Sequence, residues 1–226
     1  MSTGLFITAA GTEVGKTLIT CALAHQLKAR GDQVRVLKPV ASGFDEGTPT
    51  DSDTFHLLTA AGVEPTPEAI HAATPWRFVA PISPDMAAAR EGRVIDFAAL
   101  ADHCRAALTG DGVTLIEGIG GTMVPLTARE TVRDLIRAFD IPTVLVTGSY
   151  LGALSHALTA AGSLTTQGIK IAAIVVSESE SAPVPLAEIA QALARFTQAP
   201  VLTVPRLSPA PRLWEQVPDL TSLLES

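Results

Sequence analysis

The chain has 226 residues, of which 47% are hydrophobic and 17% are charged, and its formal net charge is −7 at pH 7. This composition excludes a disordered chain, because so many apolar residues can form a sizeable core, and the negative charge argues against a nucleic-acid surface, which needs a basic face. No basic and apolar leader opens the chain, and no apolar run reaches the roughly 18 residues of a membrane span. We therefore expect a cytoplasmic protein that binds neither nucleic acid nor membranes.

Short apolar runs alternate with helical patterns along the chain. The apolar runs predict strands at 5–9, 33–40, 113–118, 141–148, 169–177 and 200–205. The helical patterns lie at 16–31, 52–62, 83–92, 96–110, 130–139, 155–168 and 185–196. Residues 63–85 are predicted to be mostly loop, and the segment after Arg206 is predicted to be loop with a short terminal helix.

The nearly continuous apolar character of the strands is typical of a parallel sheet that helices cover on both faces. The length suits one large domain or two small ones. Since the sequence has neither an internal repeat nor a linker, we predict one α/β domain over residues 1–226. Ligands of such sheets bind beyond the carboxyl ends of the strands, so the polar residues that follow the strands are the candidate site.

The stretch TAAGTEVGKT, residues 8–17, follows a predicted strand and opens a predicted helix, as a phosphate-binding loop does. Backbone N–H groups beside Gly15 would bind the phosphates, Lys16 would reach the β- and γ-phosphates, and Thr17 would offer a hydroxyl to Mg²⁺. The loop is one residue longer than G-x-x-x-x-G-K-[ST] if Ala9 stands at the first glycine position, where it requires a negative φ. The alternative is an ordinary strand–helix turn.

Charged residues follow the other predicted strands. Lys38, in KPVASG, ends the second strand and points toward the same crevice, where it would neutralise charge on a transferring phosphoryl group; Ser42 shares its loop. Glu117 ends a buried strand, and a carboxylate there needs a partner such as Mg²⁺. Asp51 and Asp53 begin a helix, and from the residues alone they are equally well explained as helix caps.

Weaker features complete the pattern. Gly118, Gly120 and Gly121 allow a ligand to approach the backbone closely, and residues 148–156 either bind an anion at a helix start or form a plain connection. The cysteines, Cys21 and Cys104, lie in apolar helical patterns and are predicted to be buried free thiols. The histidines share no metal-ligand spacing.

The motifs occur in the order TAAGTEVGKT, KPVASG, DSD, SPDMAAAREGR, IEGIGG and LGALSH. Together, over about residues 5–207, the chain resembles the dethiobiotin synthetase family. The sharpest part of the resemblance is GTEVGKT followed about twenty residues later by KPVASG. That family uses a phosphate-binding loop with the longer spacing.

The resemblance implies a P-loop NTPase fold and a homodimer that uses ATP and Mg²⁺. The substrates would be 7,8-diaminononanoate and CO₂. One amine takes up CO₂ as a carbamate, a carbamate oxygen attacks the γ-phosphate to give a carbamic–phosphoric anhydride, and the second amine closes the cyclic urea of dethiobiotin. Such chemistry needs no protein nucleophile, so we expect positioning and charge stabilisation to carry the rate.

The resemblance also implies roles for residues at matching positions. Lys16 and Lys38 would bracket the carbamate and the γ-phosphate, and Thr12 and Ser42 would hydrogen-bond the carbamate or the substrate amines. The Mg²⁺ ligands would be Thr17, Asp53 and Glu117. The nucleotide-binding residues would be Glu13, Val14, Gly15, Lys16, Thr17, Leu18, Asp53, Glu117, Gly118, Ile119, Gly120, Ser177, Pro205, Arg206 and Leu207. The residues for the substrate carboxylate, contributed across the dimer interface, would be Leu151, Gly152 and Ser155.

The chain departs from the family pattern at three positions. Ala9 replaces a usual glycine and Gly11 a usual aspartate, and neither change removes a reacting group. Ser177 stands where the family usually reads adenine with Asn, and a hydroxyl cannot offer the paired donor and acceptor of an amide. Either the backbone of residues 205–207 reads the base, or the enzyme accepts several nucleoside triphosphates.

Three other classes share parts of this pattern. Partition and septum-site positioning ATPases carry a second lysine early in the phosphate loop, at the position of Gly11. GTP-binding regulatory proteins read guanine with N-K-x-D, but this chain contains no Asn. Amidotransferases of the same fold add a glutaminase domain with a nucleophilic Cys, for which 226 residues are too few. The positioning ATPase is therefore the main alternative.

Overall fold

A computed structural model describes residues 3–224, apart from the side chain of Thr3. The strands are β1 (Thr3–Ala9), β2 (Val34–Leu37), β3 (Val40–Ser42), β4 (Trp76–Phe78), β5 (Val113–Glu117), β6 (Thr143–Thr147), β7 (Ile171–Ser177) and β8 (Val201–Val204). The helices are α1 (Lys16–Ala29), α2 (Asp53–Ala61), α3 (Pro67–Ala73), α4 (Pro84–Arg90), α5 (Phe97–Leu108), α6 (Val132–Arg137), α7 (Ala153–Thr165) and α8 (Leu186–Ala194). Short 3₁₀ turns cover Pro49–Asp51, Leu213–Gln216 and Thr221–Leu224. Residues 1, 2, 225 and 226 of the predicted domain lie outside the described residues, so one domain over the whole chain stays a prediction.

In the described part of the chain, six strands form a parallel sheet in the order β2-β5-β1-β6-β7-β8. Leu5 and Ile7 of β1 belong to one buried cluster, which includes Ile19 of α1. Phe6 of the same strand belongs to a second cluster, which includes Leu100 of α5. Because successive side chains of a strand point to opposite faces, β1 supports a core on each side of the sheet. The predicted α/β fold with helices on both faces is confirmed.

The sheet brings the ends of separate strands to one edge. In the parallel register, Leu37 at the end of β2 pairs with Ile116 of β5, and Ile7 of β1 pairs with Glu117 of β5. The residues that follow β1 and β2 therefore lie beside the end of β5. These are the phosphate-binding loop and Lys38.

The predicted strand at 33–40 is wrong in its last residues, and the predicted loop at 63–85 is wrong in part. β2 ends at Leu37, and after Pro39, which has no N–H for the ladder, the chain forms β3, which pairs with β4 in a separate two-stranded parallel sheet. α3 begins at Pro67, and the Thr66 hydroxyl accepts a hydrogen bond from Ala69 N at 3.2 Å. A capping Thr followed by Pro at the first helical position is a helix-start signal that the sequence did contain.

The segment after β8 packs on α1 through two of the 3₁₀ turns. The Gln26 side-chain amide donates to the carbonyls of Val217 and Pro218 at 3.1 and 3.0 Å, and its oxygen accepts from Leu220 N at 2.9 Å. Trp214 is buried in the same region. The predicted loop with a short terminal helix is thus a pair of 3₁₀ turns held by one side chain of α1.

Both cysteines are free and buried, as predicted. Burial raises the pKa of the Cys104 thiol to about 12 and raises that of Cys21 further. Thiols of this kind are inert structural residues. None of the helices in the described part of the chain combines the length and the apolar character that crossing a membrane requires.

Candidate active site

The loop between β1 and α1, residues 10–15, is shaped to bind an anion. Gly15 has φ 96°, a left-handed conformation that glycine adopts readily, and Glu13 is the single non-glycine residue with positive φ in the described chain, at 58°. α1 starts without a side-chain hydrogen-bond cap, so no side chain competes with a phosphate for the N–H groups of its first turn. Ala9 ends β1 without a positive φ, as its side chain requires.

Lys16 is the first residue of α1, and its side chain is buried, with 7% of the residue exposed. Burial, and next the repulsion from Lys38, lower the pKa of Lys16 against the opposing attraction of Glu117 and Asp53. A buried ammonium in these surroundings is stabilised when an anionic group binds beside it. Lys16 is therefore suited to hold a phosphate group.

Lys38 lies between two carboxylates. Its Nζ is 2.5 Å from Oδ2 of Asp53 and 2.6 Å from Oε1 of Glu117. The Thr17 hydroxyl donates to Oδ1 of Asp53 at 2.9 Å and to Oε1 of Glu117 at 3.0 Å. Lys38 and Glu117 are 5% and 0% exposed. Four side chains from α1, α2 and the ends of β2 and β5 thus form one hydrogen-bonded cluster.

The charges in this cluster stabilise one another. Burial alone would lower the pKa of Lys38, but the carboxylates of Glu117 and Asp53 outweigh it, and the pKa of Lys38 is raised. Burial would likewise raise the pKa of Asp53, but Lys38 and the hydrogen bonds from Lys38 and Thr17 lower it. Lys38 therefore stays an ammonium and Asp53 a carboxylate near neutral pH.

Thr17, Asp53 and Glu117 fit a magnesium ion. Their hydroxyl and carboxylate oxygens converge, and hard oxygen ligands are the ones that Mg²⁺ prefers. Oε2 of Glu117 is buried and has no hydrogen-bond partner among the described residues, which is costly unless a cation or water is bound there. The described residues contain no group of three His, Cys, Asp or Glu side chains placed to hold a metal, so the remaining ligands would come from phosphate and water, as is usual for Mg²⁺.

A cavity of about 490 Å³ opens over this cluster. It contains the predicted reacting-group contacts Thr12, Lys16, Lys38 and Ser42 together. The other predicted residues that line it are Glu13, Gly15, Thr17, Leu18, Asp53, Ile119 and Gly120. Gly43, Phe44 and Ser52 line it as well, and the only sequence signal for them is their position next to Ser42 and Asp53.

Three predicted residues near this cavity do not line it: Glu117, which is fully buried beneath it, Gly118 and Val14. Gly118 lies behind the cavity: its N–H donates to Ile7 O at 2.9 Å, and a Cβ on it would be 3.1 Å from the Phe6 ring. Val14 is buried under the loop. Asp51, the alternative to Asp53, does line the cavity but is exposed on a 3₁₀ turn, and the ion pairs of Lys38 are with Asp53 and Glu117 instead.

A second cavity, of about 800 Å³, lies on the other side of the phosphate-binding loop. The predicted base-binding residues Ser177, Pro205, Arg206 and Leu207 meet there with loop residues Glu13, Val14, Gly15 and Leu18. Glu178, which no sequence motif indicated, also lies there, and its Oε2 accepts a hydrogen bond from Arg206 N at 2.8 Å that holds the 205–207 segment in place. A nucleotide could therefore extend from one cavity past Gly15 into the other.

The predicted residues at the start of α7 line neither of these two cavities. Leu151 is 87% exposed, Gly152 has φ 98°, and neither lines a cavity that contains the phosphate-binding loop. Ser155 is also exposed. The structure of one chain thus does not bring these predicted substrate residues to the site.

Known proteins resemble this chain over nearly its whole length. A family model described as an AAA domain matches residues 3–212. The ATP-dependent dethiobiotin synthetase BioD of Methylobacterium nodulans is 49% identical over 212 residues, which cover 91% of this chain and 94% of the relative. The chain belongs to the dethiobiotin synthetase family. The dethiobiotin synthetase BioD of Acidiphilium cryptum is 43% identical over 222 residues, which cover 97% of this chain and 96% of the relative.

Solved structures agree with the fold of this dethiobiotin synthetase family member. The signal recognition particle receptor FtsY from Elizabethkingia anophelis, in complex with GDP, has a TM-score of 0.56 at 13% identity, covering 100% of this chain and 63% of the receptor. The septum site-determining protein MinD from Pyrococcus horikoshii, complexed with Mg-ADP, has a TM-score of 0.55 at 14% identity, covering 91% and 82%. Likenesses at such low identity show the fold alone. The family resemblance seen in the sequence motifs is confirmed.

Proposed function

We propose that the chain catalyses the ATP- and Mg²⁺-dependent conversion of 7,8-diaminononanoate and CO₂ to dethiobiotin. The observation that carries the proposal is the cavity that unites Lys16 and Thr12 of the phosphate-binding loop with Lys38 and Ser42 in a chain 49% identical to a dethiobiotin synthetase. The proposal treats residues 1–226 as one domain of a cytoplasmic enzyme.

The reaction needs three steps. A substrate amine attacks CO₂, forming an N–C bond and releasing a proton to give the carbamate. A carbamate oxygen then attacks the γ-phosphorus of ATP, and the bond to ADP breaks. The second amine attacks the carbon of the resulting anhydride, phosphate leaves, and the cyclic urea closes.

Side chains around the first cavity contribute charge and orientation rather than a nucleophile. Lys38 stays protonated between carboxylates, so it serves as a fixed positive charge for the carbamate and the transferring phosphoryl group and not as a general base. Lys16 and the N–H groups at the start of α1 hold the phosphates. Thr12 and Ser42, on the same cavity wall, orient the carbamate or the amines.

Thr17, Asp53 and Glu117 are the residues that would hold Mg²⁺, since their oxygens converge at the end of β5. The ion would neutralise charge on the β- and γ-phosphate oxygens of ATP.

The proposal includes a homodimer in which Leu151, Gly152 and Ser155 bind the substrate carboxylate of the other chain. Two observations support it. These residues are exposed at the start of α7 and do not line the two cavities of their own chain, and Leu154 beside them is also exposed, at 37%. Exposed apolar residues around a helix start that can bind an anion suit an interface of this kind.

Base choice depends on the second cavity. Ser177 offers one hydroxyl there, so the base is read either by the backbone of residues 205–207 or with little selectivity. Oε2 of Glu178 accepts from Arg206 N and so fixes the backbone segment that would read the base. A panel of nucleotides separates the two alternatives.

The test is phosphate release from MgATP, measured with and without 7,8-diaminononanoate and bicarbonate and repeated with CTP and GTP. We expect release that requires both the diamine and CO₂. Equal rates with the three nucleotides would indicate weak base selection, and a strong preference for ATP would indicate reading by the backbone. Release that is indifferent to the diamine would overturn the proposed ligase.

A further inference from the structure

We propose that Lys38 holds the place of the divalent cation. Its ammonium bridges Asp53 and Glu117 until the metal binds them, and it then moves into the first cavity. The inference rests on the proposed Mg²⁺ ligands and goes beyond them, because it gives one lysine two alternative positions and makes metal entry the step that exchanges them.

The contacts of Lys38 are with the carboxylates that would bind the metal. Nζ lies 2.5 Å from Oδ2 of Asp53 and 2.6 Å from Oε1 of Glu117. The Thr17 hydroxyl donates to Oδ1 of Asp53 and also lies within hydrogen-bond distance of Oε1 of Glu117, the oxygen that Lys38 contacts. Three of the four carboxylate oxygens are therefore engaged by the ammonium and the hydroxyl, and only Oε2 of Glu117 has no partner among the described residues.

An ammonium and a divalent cation cannot both occupy this space. A cation that binds Oδ2 of Asp53 and Oε1 of Glu117, the two oxygens that Nζ contacts, would occupy the region where Nζ now lies. Lys38 and Glu117 are 5% and 0% exposed, so water screens the repulsion between the two positive charges poorly. Metal binding therefore requires that Lys38 give up both ion pairs.

The displaced side chain has a place to go. Lys38 lines the 490 Å³ cavity together with Thr12 and Ser42, and its four-carbon stem is flexible. From the cluster, the ammonium can turn into this cavity, where the phosphoryl group and the carbamate are expected. Metal binding to the carboxylates and movement of the Lys38 ammonium into the cavity would thus occur together.

Through this exchange, the affinity for the metal depends on whether a nucleoside triphosphate is bound. Without a triphosphate, a metal ion that enters breaks the buried ion pair of Lys38 with Glu117 and its half-exposed pair with Asp53, and leaves the ammonium without an anionic partner. With a triphosphate, the ammonium gains new anionic oxygens. We therefore expect a divalent cation to bind weakly by itself and tightly with ATP, with Lys38 as the cause of the difference.

The test is titration of the nucleotide-free full-length chain with Mn²⁺, followed by electron paramagnetic resonance, in the absence of diamine and bicarbonate. Lys38→Met removes the ammonium and keeps most of the stem. We expect this variant to bind Mn²⁺ about tenfold tighter than wild type or more, within the usual range of coupling between sites. We also expect Mn²⁺ to raise the Tm of Lys38→Met far more than that of wild type. Since no substrate is turned over, the result is independent of whether the chain makes dethiobiotin.

Lys16→Met is the matched control. It removes a buried positive charge from the same cavity but leaves the bridge between Asp53 and Glu117 intact. A clearly larger gain in Mn²⁺ affinity for Lys38→Met than for Lys16→Met supports the exchange. Equal gains, or no gain for Lys38→Met, would overturn it, because the effect would then be one of overall charge or absent.

If Lys38→Met does not fold, a second measurement tests the exchange on the wild-type protein. In ¹⁵N-lysine-labelled protein, the ammonium signal that is missing from Lys38→Arg belongs to Lys38. We expect this signal to move when Mg²⁺ and a non-hydrolysable ATP analogue are added together, and to move much less when Mg²⁺ is added alone. A signal that does not change on adding both would contradict the exchange.

Discussion

The Lys38 ammonium lies 2.6 Å from Glu117 Oε1, although the two residues are 79 positions apart in the chain. The sheet makes this pair. Leu37 of β2 is in register with Ile116 of β5. Lys38 and Glu117 are the residues that follow these two. Because neighbouring parallel strands end at the same edge of the sheet, the residues at their carboxyl ends lie close together. The ion pair is therefore a product of strand order and not of sequence spacing.

Glu117→Gln should weaken nucleotide binding that depends on Mg²⁺, by about tenfold or more, because it removes one charged ligand of the proposed site. It should also lower the free energy of unfolding by up to about 3–5 kcal/mol, since it leaves a buried ammonium with one carboxylate fewer. Calorimetric titration with MgATP and urea denaturation measure the two effects. The control is Glu46→Gln, which breaks an exposed pair with Arg77 and should cost at most about 1 kcal/mol. An unchanged Mg²⁺ requirement would remove Glu117 from the metal ligands.

Lys38→Ala should lower turnover by about 10²–10³-fold while leaving MgATP binding largely intact. In the proposed reaction the ammonium lies beside the carbamate and the transferring phosphoryl group, and one fixed charge at a transition state typically contributes about this much to the rate. Phosphate release and MgATP affinity should be measured on the same preparation, with Lys28→Ala, an exposed lysine of α1, as the control. A variant that no longer binds nucleotide would show that Lys38 acts in binding rather than in turnover.

The sequence predicted the parts of this protein that depend on local pattern. The apolar strands and the TAAGTEVGKT loop were recognisable because their residue types suit one environment. β4 was missed because three residues become a strand only by pairing with β3. Asp51 and Asp53 could not be separated from the residues alone, since both suit a helix start; the fold separates them by bringing only Asp53 to Lys38. The Lys38–Glu117 pair required the order of the strands, which no local pattern contains.

The stability of the cluster should fall in acid. Because the folded pKa of Asp53 lies below its ordinary value, the unfolded chain binds the proton first, so this contribution is present above about pH 4 and is lost as pH falls through the folded pKa. The Tm difference between wild type and Asp53→Asn should be largest near pH 7 and should narrow as the pH falls below about 4. Asp51→Asn, whose residue is exposed outside the cluster, should follow wild type throughout. A difference for Asp53→Asn that persists unchanged at pH 3 would contradict this account.

Gly15→Ala should damage the phosphate-binding loop in a way that Gly31→Ala does not. Gly15 and Gly31 have φ of 96° and 91°, so an alanine at either position is strained by about 1–3 kcal/mol. A Cβ on Gly15 would lie 2.8 Å from Ser177 Oγ and 3.1 Å from Ser177 Cβ, whereas a Cβ on Gly31 would meet none of the described atoms within 4 Å.

The two glycine variants should therefore lose similar stability in thermal melts but differ in calorimetric MgATP titrations. Gly15→Ala should lose about tenfold in affinity or more, roughly 1.4 kcal/mol, because Ser177 and the loop must move apart between the two cavities. Adding Ser177→Gly to Gly15→Ala removes both close contacts and should restore part of the affinity. Equal losses in Gly15→Ala and Gly31→Ala would assign the effect to backbone strain, and the contact between Gly15 and Ser177 would then have no part in nucleotide binding.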